Sequence, residues 1–126
     1  MEEQEILKLE IGTTEQEVKK LKPAKVKIVK VTIEDIEKVK SKKAVFEIKH
    51  PEAENTIKIS AVSFLDGKIV RTVGTWINTD KEGKLQKGTG LTTFLKELNV
   101  VSLNGTVGLE AETEADDAGY LVFKAY

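Results

Sequence analysis

The sequence predicts a mostly β domain, an OB-like barrel of five to six strands with one amphipathic helix. The chain has 126 residues, which is enough for one domain with one hydrophobic core. Apolar residues alternate with period two through most of the chain after residue 24, and a single segment has helical spacing. That helix separates an early meander from a final hairpin, which is the order of an OB-type barrel. A β-sandwich and an α+β roll remain open as alternatives.

Residues 1–23 are interpreted as an acidic arm that precedes the barrel domain of residues 24–126. Residues 1–17 contain six glutamates and one lysine. Thr14 and Glu17 have the spacing of a capping box, which predicts a short helix. We expect this helix to end before Pro23, because the residue that precedes a proline avoids the α conformation.

Six strands are predicted from the period-two alternation. In the first strand the adjacent apolar residues Ile28 and Val29 reverse the phase of the alternation, which predicts a bulge. Four strands precede the helix, whereas a minimal OB barrel needs three. Either one pair is a broken strand or a hairpin has been added. The predicted strands cover residues 25–33, 44–50, 55–65, 68–78, 106–113 and 120–126.

The predicted helix begins after Thr89, which is expected to cap it. Asn99 lies where a helix often ends in the left-handed region. The apolar residues between them follow the i, i+3, i+4, i+7 spacing of a single helix face. They are Leu91, Phe94, Leu95 and Leu98.

Charge is distributed unevenly along the chain, although the net charge is only −1. Residues 19–49 contain eleven lysines and four acidic residues. A local basic segment in a nearly neutral protein favours an anion-binding surface. Lysines that alternate with apolar residues are also the ordinary solvated face of strands, so both interpretations stay open.

No catalytic or metal-binding motif is present, and we expect a protein that is not an enzyme and uses no cofactor. The chain has no cysteine, which excludes disulfides, thiolate nucleophiles and Cys-based zinc sites. Its one histidine, His50, is expected to be a solvated side chain at the end of a strand. Glu110, Glu112 and Glu114 alternate along one strand face, as solvated residues do, and predict no metal site.

The compartment and source are predicted from composition. We expect a cytoplasmic protein, because the acidic start lacks the basic segment of a secretory signal and no apolar run is long enough to span a membrane. Lys and Glu dominate the charged residues, while Asn, Gln, Met and Cys are scarce, which is typical of thermophilic proteins.

Aromatic residues on lysine-bearing strands are the candidate binding residues. Phe64 is expected to share a face with Lys58, and Tyr120 with Lys124. Such combinations are typical of platforms on which unpaired bases stack, although the same aromatics can instead belong to the core. Lys84 and Lys87 lie near the predicted helix start, where anions bind. The candidate nucleic-acid-binding residues are Trp76, Phe64, Tyr120, Lys25, Lys27, Lys30, Lys49, Lys58, Arg71, Lys84 and Lys87.

Three strings carry a resemblance to a known family. They are Val73-Gly74-Thr75-Trp76, the stretch from Asp80 to Thr89 with the following Leu91 and Phe94-Leu95, and the closing Gly119 to Tyr126. They resemble small phage- and plasmid-type single-stranded DNA-binding OB-fold proteins. The resemblance implies a viral or plasmid protein that acts in the host cytoplasm and binds single-stranded DNA or RNA.

The sequence therefore predicts sequence-independent binding of single-stranded nucleic acid, without a membrane or a small-molecule substrate as partner. No set of residues that reads base edges is evident in it. The alternative is a small structural or assembly protein that forms homo-oligomers and does not bind nucleic acid. In that case edge strands and the apolar residues between Ile6 and Ile11 would serve assembly.

Overall fold

Strands form in all six predicted places, as the computed structural model shows for residues 21–126. The predicted arm of residues 1–23 lies outside the described residues, except for its last three. Three strands bend sharply at one residue, and each of them is divided into two short segments. The elements are β1 (Val26–Ile36), β2 (Ser41–Lys49), β3 (Ile57–Ile59), β4 (Ala61–Asp66), β5 (Ile69–Gly74), β6 (Trp76–Ile77), α1 (Gly90–Glu97), β7 (Glu110–Ala111), β8 (Thr113–Ala115) and β9 (Leu121–Ala125), with 3-10 turns at Glu37–Val39 and Asn104–Thr106.

The strands close into a ring. β1 pairs with β2 and β2 with β3, and the chain passes through Ser60 into β4. β4 pairs in parallel with β9, and β9 pairs with β8, which continues through Glu112 from β7. β7 pairs with β1 and completes the ring. This confirms the predicted mostly β, OB-like barrel, with its helix between the early strands and the final hairpin.

The sixth strand is an addition to this ring. β5 pairs with β4, and after a bend at Thr75 the chain continues as β6, which pairs with the start of β2. The strand β5–β6 thus fills the space where β2 and β4 diverge. The extra strand before the helix is therefore β5–β6, which forms a hairpin with β4 and lies outside the ring.

Hydrogen bonds between distant segments stabilise the bend at Thr75, which is fully buried. The Thr75 amide donates to the Ser60 carbonyl at 2.9 Å, and the Ala44 amide donates to the Thr75 carbonyl at 2.9 Å. The Thr75 hydroxyl donates to the Ala44 carbonyl at 2.5 Å. Because these groups are paired, the chain can turn from one sheet into the other inside the protein without leaving buried polar groups unsatisfied.

The predicted bulge lies at Val29. The register between β1 and β2 shifts between Ile28 and Lys30, and Val29 is the extra residue. Ile28 points into the core before the bulge, and Val31 does so after it. The bulge therefore keeps the apolar residues of the bent strand on the inside of the barrel.

The helix α1 closes one end of the barrel as predicted. Thr89 caps it: its hydroxyl accepts from the Thr92 amide at 3.2 Å, and the Thr92 hydroxyl accepts from the Thr89 amide at 3.1 Å. Asn99 has the left-handed conformation with φ 61°. A β-carbon at Gly90 would overlap Val73, so the helix start lies directly on β5 and requires glycine there.

Three phenylalanines form the centre of the core. The rings of Phe94 and Phe123 are stacked with centroids 4.3 Å apart, and Phe46 contacts both rings edge-on at 5.4 and 5.2 Å. All three side chains are fully buried. The helix, β2 and β9 are thus joined through one aromatic cluster, as the predicted core faces required.

Candidate nucleic-acid interface

Four of the predicted lysines project from the outer surface of β1, β2 and β3. All four are exposed, and Lys27, Lys49 and Lys58 are each flanked by buried residues. Lys27 lies opposite Lys49, and Lys30 lies opposite Glu47, which in turn lies opposite Lys58. The structure therefore brings these four side chains to one surface, as period-two alternation predicts.

Lys43 belongs to the same surface, although the predicted second strand begins only at residue 44. The hairpin turn between β1 and β2 ends earlier, at Lys40, which has the left-handed conformation with φ 50°. Lys43 precedes the buried Ala44 and shares its phase with Lys49. Its alternation with the apolar Ala44 was the signal that could have identified it. We call the exposed surface formed by Lys27, Lys30, Lys43, Lys49 and Lys58 the lysine face.

Trp76 lies at one end of the lysine face. β6 pairs with β2, and this register places Trp76 opposite Lys43. The Lys43 ammonium is 5.1 Å from the centroid of the Trp76 ring, within the range of a cation–π interaction. The side chain is partly exposed. Trp76 is therefore not the fully buried core tryptophan that the sequence left open.

The indole of Trp76 covers Gly74. A β-carbon at Gly74 would lie 2.7 Å from the Trp76 Nε1 and 2.9 Å from the Lys43 Cε. Only glycine allows the ring and the lysine stem to pack so close to the β5 backbone. The position of Trp76 on the surface therefore depends on Gly74 and Lys43 together.

The lysine face is neither continuous nor purely basic. Glu34 lies opposite Lys43, and Glu110 lies opposite Lys27. Val45 has the outward phase but is only 6% exposed. Opposite charges across paired strands compensate one another in part. The surface thus has an excess of positive charge with acidic residues between the lysines.

Lys25 lies beside the lysine face, just before β1. Its ammonium forms a salt bridge of 3.7 Å with Glu112, and both side chains are more than half exposed. An ion pair this exposed contributes little to stability and is easily exchanged for another anion. Lys25 therefore adds to the basic surface near Lys27.

The prediction that Phe64 shares the face of Lys58 is wrong. Ile57 and Ile59 point into the core, and so do Val62 and Phe64. The bend at Ser60 reverses the phase, because β3 and β4 belong to different sheets. Phe64 is partly buried against the core and lies close to the start of α1. It is consequently not available beside the lysines.

Arg71 and Tyr120 also lie on other elements. Arg71 is on β5, where its Nε forms a 2.7 Å salt bridge with the Asp66 carboxylate of the same hairpin. Tyr120 is in the turn between β8 and β9, partly buried, and its amide donates to the Asp116 carboxylate at 2.8 Å. The lysine face is built from β1, β2, β3 and β6, so these two residues are separate from it.

Lys84 and Lys87 line a different feature, a groove of about 960 Å³ between β1 and α1. We call it the β1–α1 groove. Val31 and Ile33 form its β1 side, and Lys96 contributes a third lysine from the helix. The predicted binding lysines thus divide between the lysine face with its neighbour Lys25 and the β1–α1 groove.

The expectation of a solvated His50 is also wrong, since the side chain is only 1% exposed. Its Nδ1 accepts from the Glu52 amide at 3.0 Å, which makes Nε2 the protonated nitrogen that donates to the Lys22 carbonyl at 2.8 Å. Both ring nitrogens therefore form hydrogen bonds to the backbone of other residues. Within residues 21–126, no group of three or more His, Asp or Glu side chains is arranged to hold a metal ion.

Comparison of the chain with protein-family models, with curated proteins and with solved structures gives no match. The resemblance to single-stranded DNA-binding proteins therefore remains a prediction. None of the helices in the described part of the chain has the length and apolar character needed to cross a bilayer.

Proposed function

We propose that this domain binds single-stranded nucleic acid, with little preference for base sequence, on the lysine face. The observation that carries the proposal is the position of Trp76, partly exposed and beside Lys43, at the end of a surface with four further lysines. Single-strand sites combine a positively charged surface for the backbone with aromatic rings for the bases. Trp76 and the lysine face provide both components.

The lysines account for the binding of phosphates. Lys27 and Lys49 lie directly opposite each other, and like charges at opposed positions are unfavourable. A phosphate between them would relieve this repulsion. Each phosphate neutralised by the surface adds about 0.7 to the slope of log K against log salt for a single strand. Binding is therefore expected to weaken steeply as salt increases.

Trp76 accounts for the binding of a base. Stacking of one base on an aromatic side chain contributes about 1–3 kcal/mol and tolerates any base. Contacts from lysines to phosphates position a strand without reading its bases. A site made of lysines and one stacking ring therefore supports binding without sequence preference.

Titration of the full chain with oligo-dT tests the proposal, with Trp76 fluorescence as the readout, at low and high salt. Trp76 is the one tryptophan of the chain, so the signal comes from the proposed site. We expect quenching on binding and a marked loss of affinity at high salt. Absence of both quenching and salt-sensitive binding would refute the proposal.

Charge-reversed variants locate the site. The double variant Lys30→Glu with Lys58→Glu removes two exposed lysines of the face, and we expect at least a tenfold loss of affinity. Lys68→Glu with Lys81→Glu is the matched control. Both lysines are exposed in turns outside the lysine face, and their replacement should leave the affinity unchanged. Equal losses in both variants would mean general electrostatic attraction. A large homo-oligomer with no affinity for nucleic acid would favour the assembly-protein alternative.

A further inference from the structure

The β1–α1 groove has an apolar interior. Ile33 is 51% exposed although it has the phase of the core residues of β1. A volume of about 960 Å³ is at the upper end of the range for ligand pockets. The apolar residues that line it are Val31, Ile33, Leu85, Leu95, Val100, Val101 and Leu103.

Within residues 21–126, one edge of β1 has no strand paired to it beside this groove. β7 pairs only with Val26 and Lys27, and the next residue, Ile28, bonds to the backbone of Gly108 and Leu109. From Val29 onward, β1 has a strand partner on its β2 side alone among residues 21–126. In the described part of the chain, the backbone of β1 from Val29 to its end at Ile36 is therefore open along the groove.

The direction of the open backbone groups follows from the pairing of Ala44. The Ala44 amide donates to Thr75, away from β1, so the register partner of Ala44, Ile33, directs its own N–H and C=O away from β2. Residues two positions away share this orientation. Val31, Ile33 and Asp35 thus present donors and acceptors to an incoming strand.

The rim of the groove is positively charged. Lys84, Lys87 and Lys96 line it, and the residues identified in its lining include no aspartate or glutamate. They also include no aromatic side chain, which is the group on which nucleic-acid bases stack. The chemistry of the groove therefore favours a ligand that is aliphatic and acidic over a single-stranded nucleic acid.

We propose that the β1–α1 groove binds an extended segment of a partner protein, rich in aliphatic and acidic residues, which adds to β1 as an extra strand. Main-chain hydrogen bonds to Val31, Ile33 and Asp35 hold the segment, its aliphatic side chains enter the groove, and its carboxylates contact the three lysines. This site does not use the lysine face and stands independently of nucleic-acid binding.

An NMR titration tests the proposal with the full, ¹⁵N-labelled chain and the capped peptide Glu-Val-Glu-Leu-Glu-Val-Glu. We expect shifts of the amides that line the groove and slower hydrogen exchange at Val31, Ile33 and Asp35. A Lys-Val-Lys-Leu-Lys-Val-Lys peptide is the charge-reversed control and should not bind. A peptide N-methylated at alternate residues should bind at least tenfold more weakly, because it lacks the ladder donors.

Rim variants complete the test. Lys84→Glu with Lys87→Glu changes exposed side chains, and we expect at least a tenfold loss of affinity for the acidic peptide; Lys68→Glu with Lys81→Glu should retain it. Failure of the peptide to bind, or equal binding of both peptides, overturns the proposal. Shifts of the groove amides on addition of oligo-dT also overturn it, because the occupant would then be nucleic acid. Self-association that protects the same amides overturns it too, because the occupant would then be a second copy of the chain.

Discussion

The Lys43 ammonium lies 5.1 Å from the centroid of the Trp76 ring, although 32 positions separate the two residues in the chain. The pairing of β2 with β6 brings them together, and Gly74 leaves the space that the indole occupies. A cation–π contact of this kind at an exposed site contributes about 0.5–1 kcal/mol. Its main consequence is to define where Trp76 lies on the lysine face.

Replacement of Gly74 by alanine should displace the Trp76 ring, because the new β-carbon would lie 2.7 Å from Nε1. We expect altered near-UV circular dichroism, a shifted emission maximum and a stability loss of about 1–3 kcal/mol from overpacking. Val70→Ala, at an exposed position of the same strand, is the control and should leave the tryptophan signal unchanged. An unchanged spectrum in Gly74→Ala would contradict the close packing.

Truncation of Phe94 should detach the helix from the barrel. Its ring stacks on Phe123 at 4.3 Å and is fully buried, so Phe94→Ala is expected to cost about 3–5 kcal/mol of the free energy of unfolding. Urea denaturation measures the loss. Val101→Ala removes an aliphatic side chain that is 97% exposed, and its effect should stay within about 0.5 kcal/mol. Similar urea midpoints for Phe94→Ala and Val101→Ala would contradict the burial of Phe94 in the core.

His50 should have a structural role. His50→Ala removes the hydrogen bonds to the Glu52 amide and the Lys22 carbonyl, and each such bond contributes about 0.5–1.5 kcal/mol to stability. Thermal unfolding of this variant, compared with exposed Glu54→Ala, measures the loss. NMR of the imidazole nitrogens should find the proton on Nε2, and a proton on Nδ1 would contradict the assigned bonds.

Tyr126 should titrate above its ordinary range. Its hydroxyl donates to the Glu114 carboxylate at 3.0 Å, and this bond raises the pKa of the phenol above the usual value of 10.0. The bond stabilises the fold below the pKa of the unfolded chain, and the contribution disappears as pH rises through the higher pKa of the folded chain. NMR titration of Tyr126 should give a lower pKa in Glu114→Gln than in the parent, with Glu112→Gln as the unaffected control.

Local patterns were enough to identify the helix and the bulge. Thr89 and Asn99 bound the helix because capping and left-handed termination involve only residues within a few positions. The reversal of phase at Ile28 and Val29 indicated the bulge for the same reason. The interpretation of Phe64 failed because no Gly, Pro or Asn marks the bend at Ser60, and period-two reasoning continued through it.

Taken by itself, the sequence determined the class of fold and the surface lysines of β1 to β3. Alternation, helix spacing and turn residues act locally, and they specify elements and faces before any element meets another. Only the tertiary structure decided that Trp76 joins Lys43, that His50 is buried and that, among residues 21–126, no strand pairs with one edge of β1 along a basic groove. These depend on strand register and on bends stabilised by hydrogen bonds between distant segments, which no short window of sequence contains.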